Sequence, residues 1–175
     1  MKDNSISGKY RKKIEKPKKE EQEYGPGKKD FVVCSDCNAI YYQKSWHHGF
    51  ADYKHLDESK PVSFSICPAC QMIKDKKFEG KVVIENILSE HKDEILNNIK
   101  NTGERAYKRD PMDRIIGIRN YESAVKGRYN VEVITTENQL ARNIARQVER
   151  AYGGVKSEIT WSKQESVARI VVKFL

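Results

Sequence analysis

The sequence lacks the signatures of several large classes of protein. It contains no Gly-rich phosphate-binding loop, no nucleophile elbow and no His-Glu-x-x-His motif, so nothing marks it as a nucleotide-dependent enzyme, a serine hydrolase or a zinc peptidase. Residues 1–19 contain no apolar run typical of a signal peptide and no evident lipidation signal. We therefore expect a protein of a reducing, cytoplasmic compartment, without enzymatic activity and without a role at membranes.

Cysteine is scarce: the chain contains four cysteines, and all four belong to two pairs of identical spacing. A Cys-x-x-Cys step lets two thiolates of one tight turn face a single ion, and two such turns complete the tetrahedral shell of a structural zinc site. A closed shell leaves no open position for a substrate. The sequence therefore predicts one Zn²⁺ ion bound by Cys34, Cys37, Cys67 and Cys70.

Other arrangements of the four cysteines stay open at this stage. Two disulfides would suit an oxidising compartment, which residues 1–19 argue against, and iron would accept the same four thiolates. His47, His48 and His55 lie between or near the pairs, but four cysteines already complete the set, so we expect no histidine ligand. Asn38 follows the first pair and tolerates the left-handed backbone that such a turn needs.

Positive charge is concentrated at the N-terminus. The chain carries a formal net charge of +8, and residues 1–19 alone hold eight basic and two acidic residues. Because this stretch is nearly free of apolar side chains, we expect residues 1–30 to form a disordered basic arm and linker. The arm either follows the phosphate backbone of RNA or serves as a solubilising tail. The candidate phosphate contacts are Lys9, Arg11, Lys12, Lys13, Lys16, Lys18 and Lys19.

The rest of the chain mixes strand and helix periodicities, which predicts an α+β fold. We expect a zinc-binding unit of the zinc-ribbon or treble-clef kind at 31–80, a strand and connecting helix at 81–110, and a ββαββ sheet-plus-helix domain at 111–175. In the zinc-binding unit, a short helix at 71–78 is expected to end at Gly80. The predicted strands of the last domain are 115–119 and 129–134, joined through Lys126-Gly127, and 155–161 and 167–174, which form a hairpin, in a mostly antiparallel sheet.

Two longer helices are marked by the residues at their ends. The first is expected at 86–109 and is closed by Asp110-Pro111, since the residue before a proline disfavours helical backbone. The second follows Thr136-Glu137-Asn138-Gln139, a capping box in which the threonine hydroxyl would accept the Gln139 amide. Gly153-Gly154 ends this helix, and its buried stripe is predicted to comprise Leu140, Ile144 and Val148.

Arg142, Arg146 and Arg150 recur every four residues along the second helix and therefore line one of its sides. A row of guanidinium groups is suited to binding phosphates. The same spacing is also found on solvated helix surfaces that form ordinary ion pairs. Both interpretations stay open from the sequence.

The paired cysteines, the Trp46 segment, Glu94-Ile95-Leu96-Asn97 and Gln139-Leu140-Ala141-Arg142 together resemble a small prokaryotic zinc-ribbon family over residues 33–174. The paired cysteines are also similar, more distantly, to the N-terminal zinc-binding region of the large-ribosomal-subunit export adaptors. Those adaptors carry several paired cysteines, whereas this chain has one complete set. The resemblance implies attachment to ribosomal RNA or to a ribosomal subunit.

Two functions of different classes are compatible with these features. The first is an RNA-binding protein, ribosome-associated, that uses its zinc unit, its basic arm and its basic helix face. The second is a zinc-stabilised adaptor that binds an acidic protein partner. A DNA-binding regulator is a weaker third hypothesis, because the sequence shows no clear recognition helix or dimerisation heptad.

Overall fold

Two β-sheets form the framework of the fold. A computed structural model describes residues 31–49, 62–161 and 167–175, so the arm predicted at 1–30 lies outside the described residues. The helices and strands, in chain order, are β1 (Phe31–Cys34), β2 (Ile40–Tyr42), β3 (Ser45–His47), β4 (Val62–Ser65), α1 (Pro68–Lys74), β5 (Gly80–Leu88), α2 (Lys92–Arg109), β6 (Ile115–Glu122), β7 (Arg128–Thr135), α3 (Asn138–Ala151), β8 (Val155–Trp161) and β9 (Ala168–Phe174). The predicted α+β class is confirmed.

The N-terminal sheet has the strand order β3-β2-β1-β4. β1 and β2 form an antiparallel hairpin, and β4 pairs parallel to β1 with Cys34 opposite Ser65. Parallel strands end at the same edge of a sheet, so the chain leaves β1 and β4 at neighbouring positions. Phe31, Ile40 and Tyr42 form a small buried cluster within this sheet.

The short helix that the sequence predicted after the second cysteine pair begins earlier, between the two cysteines of that pair. It spans Pro68–Lys74 instead of 71–78, because Cys67 is its N-cap and Pro68 is favoured in the first turn. Lys76 follows with a φ of 55°, which ends the helix in the left-handed region. Gly80 therefore does not end the helix but begins β5.

The C-terminal sheet has the strand order β6-β7-β5-β9-β8. β5 lies at its centre, antiparallel to β7 and parallel to β9. The predicted ββαββ domain is therefore incomplete, because the strand assigned to the connecting segment is the central strand of the same sheet. α2 and α3 pack together on one face, and their shared core with the sheet includes Val82, Ile84, Ile95, Ile99, Val131, Val133, Leu140, Ile144, Val148, Ile170 and Val172.

The boundary between β5 and α2 also differs from the prediction. The helix expected from Asn86 begins at Lys92, after a short 3₁₀ turn, and β5 continues to Leu88. Asn86 has a φ of 61° at an irregularity of the β5–β7 ladder, and its amide donates to Asn130 Oδ1 at 2.9 Å. The helical end at Asp110 is confirmed.

The capping box predicted at Thr136 is wrong. α3 begins at Asn138 with Glu137 as its N-cap, and no side chain caps its first turn. The Thr136 hydroxyl instead donates to the Met112 carbonyl at 2.6 Å and accepts the Arg114 amide at 2.9 Å. A tertiary hydrogen bond therefore replaces the local bond that the sequence pattern favoured.

Other local predictions are confirmed. β6–β7 and β8–β9 form the two expected antiparallel hairpins. Leu140, Ile144 and Val148 are buried along α3, and the helix ends just before Gly153-Gly154. Among the described residues, no helix combines the length and the apolarity that crossing a bilayer would require.

Gly80 marks a close contact between β5 and α3, which leads to a prediction about stability. A methyl group at Gly80 would lie 2.5 Å from Ala141 Cβ and still closer to the Thr135 hydroxyl. Gly80→Ala should therefore lower the free energy of unfolding by about 1–3 kcal/mol, measured by urea denaturation, because a packed core must shift to admit the methyl group. Gly153→Ala is the control, since nothing lies within 4 Å of that position. Equal urea midpoints for the two variants would contradict the close contact.

Candidate metal centre

Two turns at one end of the N-terminal sheet bring four thiols together. Cys34 ends β1 and Cys37 lies in the turn to β2, whereas Cys67 precedes α1 and Cys70 lies in its first turn. The parallel pairing of β1 with β4 sets the two turns side by side. The four Sγ atoms of these residues, which we call the four-cysteine cluster, all lie within 4.8 Å of one another.

The spacing of the sulfur atoms fits a tetrahedral metal ion. Four thiolates at about 2.3 Å from a central ion are separated by about 3.8 Å, and Cys37 Sγ lies 3.7 Å from Cys67 Sγ. A disulfide would require a separation of about 2.05 Å, and all four cysteines are free. The four cysteines are thus positioned to hold a metal ion, and the structure contains neither of the two alternative disulfides.

Backbone amides of both turns donate hydrogen bonds to the thiols. Asn38 has a φ of 61°, which confirms the left-handed backbone expected after the first pair. The Cys67 amide donates to Cys34 Sγ at 3.2 Å, and the Cys70 amide donates to Cys67 Sγ at 3.4 Å. Burial raises the pKa of Cys34, but hydrogen bonds from backbone amides outweigh burial and hold that pKa at about 6. Burial prevails at Cys67 and Cys70 and raises the pKa of both thiols. Amides directed at sulfur stabilise the charge of the metal-binding form.

Apolar side chains enclose the four-cysteine cluster. Cys34 and Cys67 are fully buried. The small side chains of Ala39 and Ala69 are buried with them, and the partly buried Trp46, Ile66 and Met112 pack against the cluster. Such a surrounding limits the access of water to the thiolates and strengthens their electrostatic interactions. Four protein ligands fill a tetrahedral shell, so an ion held here would have a structural role.

Arg114 extends its side chain to the thiols from the C-terminal domain, the name we give to the unit formed by β5–β9, α2 and α3. Its Nη2 donates to Cys37 Sγ at 3.0 Å and its Nη1 donates to Cys70 Sγ at 3.3 Å, with Cys67 Sγ 4.0 Å from Nη2. Burial alone would lower the pKa of Arg114, but the hydrogen bonds to Cys37 and Cys70 and the charges of these cysteines outweigh burial and raise the pKa. The guanidinium therefore stays charged. A divalent ion with four thiolates carries a net charge of −2, half of which Arg114 would offset.

Hydrogen bonds fix the position of Arg114. Its Nε donates to the Pro111 carbonyl at 2.7 Å. The buried Thr136, at the end of β7, accepts the Arg114 amide through its hydroxyl and donates its own amide to the Arg114 carbonyl at 3.0 Å. The edge of the C-terminal sheet therefore presents the guanidinium to the four-cysteine cluster.

An aromatic contact joins the same two regions next to the four-cysteine cluster. A ring nitrogen of His48 donates to the Tyr107 carbonyl, and the two rings meet edge-on with centroids 4.6 Å apart. The Arg114 guanidinium lies 5.4 Å from the centroid of the Tyr107 ring. His48, Tyr107 and Arg114 form what we call the junction, through which the metal site contacts the C-terminal domain.

The histidines near the cysteine pairs have other partners. His47 stacks on Tyr42 with ring centroids 3.9 Å apart, and His48 belongs to the junction. His55 lies outside the described residues. Among the described residues, the group able to hold a metal ion consists of the four cysteines.

The predicted nucleic-acid contacts fall into two sets. Those of the arm, Lys9, Arg11, Lys12, Lys13, Lys16, Lys18 and Lys19, lie outside the described residues. Arg142, Arg146 and Arg150 lie on α3, and the structure distinguishes them, because Arg146 and Arg150 are exposed whereas Arg142 is half-buried. Contact of any of these residues with phosphate stays a prediction.

Two features were missed from the sequence. Arg114 lies 77 residues from Cys37 and 44 residues from Cys70, so no local pattern indicates their contact. The second feature is a groove of about 610 Å³ between α2 and α3, lined by Thr102, Arg105, Lys108, Arg109, Asn143 and Gln147. The available signal was the spacing of its three basic residues, which places them on one side of α2. Only the packing shows that this side borders α3.

Comparisons of the chain with protein-family models, with curated proteins and with solved structures found no match. The four-cysteine cluster, the junction and the basic groove are therefore the basis for assigning a function.

Proposed function

We propose that this protein is a zinc-stabilised RNA-binding protein without enzymatic activity, attached to ribosomal RNA or a ribosomal subunit. The observation that carries the proposal is the four-cysteine cluster, four thiols at the spacing of a tetrahedral ion within an apolar enclosure. An ion in such a closed shell organises the fold and leaves the remaining surface for binding. The Zn²⁺ ion would be held by Cys34, Cys37, Cys67 and Cys70.

The four thiolate ligands and their position in two tight turns favour zinc over iron. Four thiolates from two tight turns are the usual shell of structural zinc, which has no redox chemistry of its own. The first pair lies in a strand-turn-strand segment and the second at the start of α1. We infer from this arrangement a treble-clef-like unit and not a ribbon of two hairpins.

The charge of the chain supports a polyanionic partner. Residues 1–19 carry most of the formal +8, and Arg146 and Arg150 add exposed guanidinium groups on α3. Basic groups neutralise phosphates and release their counterions, which is the main source of affinity for nucleic acid. The resemblance to ribosome-associated zinc-binding proteins favours ribosomal RNA among such partners.

The alternative is an adaptor that uses the same basic groups to bind an acidic protein. The two functions differ in their response to nuclease. Co-sedimentation of the full chain with ribosomes in a density gradient, lost after nuclease treatment, would support RNA binding. Persistence of the complex after nuclease treatment, together with binding to an acidic protein, would support the adaptor.

Removing the basic arm tests RNA binding, and the expected change in salt dependence can be stated in advance. Removal of residues 2–19 should weaken binding to a fluorescently labelled RNA hairpin and flatten its salt dependence, because each lost phosphate contact lowers the slope of log K against log salt by about 0.7–0.9. Anisotropy titrations over a series of salt concentrations measure both quantities. The melting temperature should not change.

A variant in which residues 2–19 are shuffled is the matched control, since it keeps the length and charge of the arm. Its RNA affinity should match that of the wild type if the arm acts through charge. Unchanged affinity and slope in the truncated protein would show that the arm is a solubilising tail.

A further inference from the structure

The groove between α2 and α3 has the size of a small-ligand site. Its volume is about 610 Å³, within the general range of ligand-binding clefts. Arg105 and Arg109 lie one helical turn apart on α2, and Lys108 lies beside them. Asn143 and Gln147 border the groove from α3, also one turn apart. Both helices pack on the C-terminal sheet, so the two walls of the groove belong to a rigid framework.

The residues that line the groove carry positive charge. Its lining contains two arginines and one lysine and no acidic residue. None of these three residues forms a salt bridge with a described carboxylate. The charge of Arg109 does reach Asp113, whose pKa is raised by burial and by Asp110 and is lowered only in part by Arg109. Like charges three and four residues apart on a helix repel each other. The fold thus maintains a concentration of charge that a bound anion would relieve.

Helix geometry explains only part of this charge. Lys108 and Arg109 lie in the last turn of α2, where cations complement the helix dipole. Arg105 lies a full turn earlier, and its Nη2 donates to the hydroxyl of the buried Thr102 at 3.2 Å. This bond holds the Arg105 side chain along the groove.

We propose that the α2–α3 groove binds the sugar-phosphate backbone of RNA. This inference rests on the proposed function and names its contact surface. Arg105 and Arg109 present planar guanidinium groups, which match phosphate oxygens with two hydrogen bonds each. Lys108 supplies a third charge for the neighbouring phosphate.

The opposite wall of the groove favours RNA over other anions. Asn143 and Gln147 each offer amide donors and a carbonyl acceptor. A ribose 2′-hydroxyl is both a donor and an acceptor, and it is the group by which proteins distinguish RNA from DNA. A partner that carried only carboxylates would leave the acceptors of these two amides unused.

The test replaces the three basic residues together. Arg105→Gln/Lys108→Gln/Arg109→Gln should lower the affinity for a labelled RNA hairpin about tenfold or more and reduce the slope of log K against log salt by about 2–3. Glutamine keeps the helix propensity of the replaced residues. Anisotropy titrations of the full chain measure affinity and slope, and thermal unfolding checks the fold.

The matched control removes the same charge elsewhere. Lys100, Lys126 and Lys156 are exposed and do not line the groove, so Lys100→Gln/Lys126→Gln/Lys156→Gln should change the affinity less than about threefold. Equal losses of RNA affinity in the two triple variants would overturn the proposal that the groove binds RNA, because the affinity would then depend only on the total charge of the protein. If the groove variant unfolds, the single exposed change Lys108→Glu should still weaken binding while Lys100→Glu should not.

A DNA hairpin of the same sequence tests the role of the amides. Asn143→Ala/Gln147→Ala should lower RNA affinity toward the DNA value and leave DNA affinity unchanged. Equal losses for both nucleic acids would overturn the assignment of RNA. A wild-type protein that binds no RNA would contradict the proposed function. If the wild type binds RNA and the groove triple variant binds it with the same affinity, the proposed function stands but the groove is not its contact surface.

Discussion

Cys67→Ser is expected to abolish metal binding and to unfold the region of residues 31–80. Structural zinc contributes on the order of 10 kcal/mol of folding free energy in small units, which is more than the N-terminal sheet has available from its small core. Trp46 packs against the four-cysteine cluster, so its fluorescence reports the change. A Trp161→Phe background removes the second tryptophan of the chain. We expect a red-shifted emission in Cys67→Ser/Trp161→Phe.

The C-terminal domain should remain folded in the same variant. Its core contains no residue of the four-cysteine cluster, so the circular dichroism of α2 and α3 should persist. Ser35→Ala is the matched control, because Ser35 is an exposed residue of the first turn. Native fluorescence and a native melting temperature in Cys67→Ser would contradict a structural metal.

Replacing Arg114 by methionine is expected to weaken zinc binding about 10–100-fold, a loss typical of residues that hydrogen-bond metal ligands. The guanidinium bonds Cys37 and Cys70 and offsets part of their charge. Loss of these bonds should also lower the free energy of unfolding by about 2–4 kcal/mol. Competition with a chromogenic chelator measures the affinity, and denaturant titration measures the stability.

Two further variants separate charge from geometry at the four-cysteine cluster. Arg114→Lys keeps the charge but lacks the planar fork that spans two sulfurs, so its zinc affinity should be intermediate. Arg119→Met is the control, because Arg119 is exposed and pairs with Glu132 at 3.5 Å, and it should change stability by less than about 1 kcal/mol. Wild-type zinc affinity in Arg114→Met would show that the contact has no role in metal binding.

Local patterns predicted much of the fold. The stripe of Leu140, Ile144 and Val148 and the two hairpins depend on neighbours in the sequence, and the structure confirms them. The cysteine spacing likewise predicted which thiols meet. These features are encoded within a few residues, where periodicity and ligand spacing act directly.

Long-range pairings were not predictable from the same patterns. β5 pairs with β9, which lies at the other end of the domain, and a short apolar strand does not specify its partners. Thr136 fits a capping box, but its hydroxyl makes tertiary hydrogen bonds. Nothing in the sequence around Arg114, apart from its charge, indicates that it contacts the cysteines. The contacts that connect the metal site to the rest of the protein therefore depend on the folded arrangement.

The identity of the ion provides the most direct test of zinc stabilisation. Native mass spectrometry and elemental analysis of the full chain, purified without added metal, should give one zinc per 20.3 kDa chain. The zinc should be absent from Cys67→Ser and present in Ser35→Ala. A wild-type protein that contains iron, no metal or two disulfides would contradict the account.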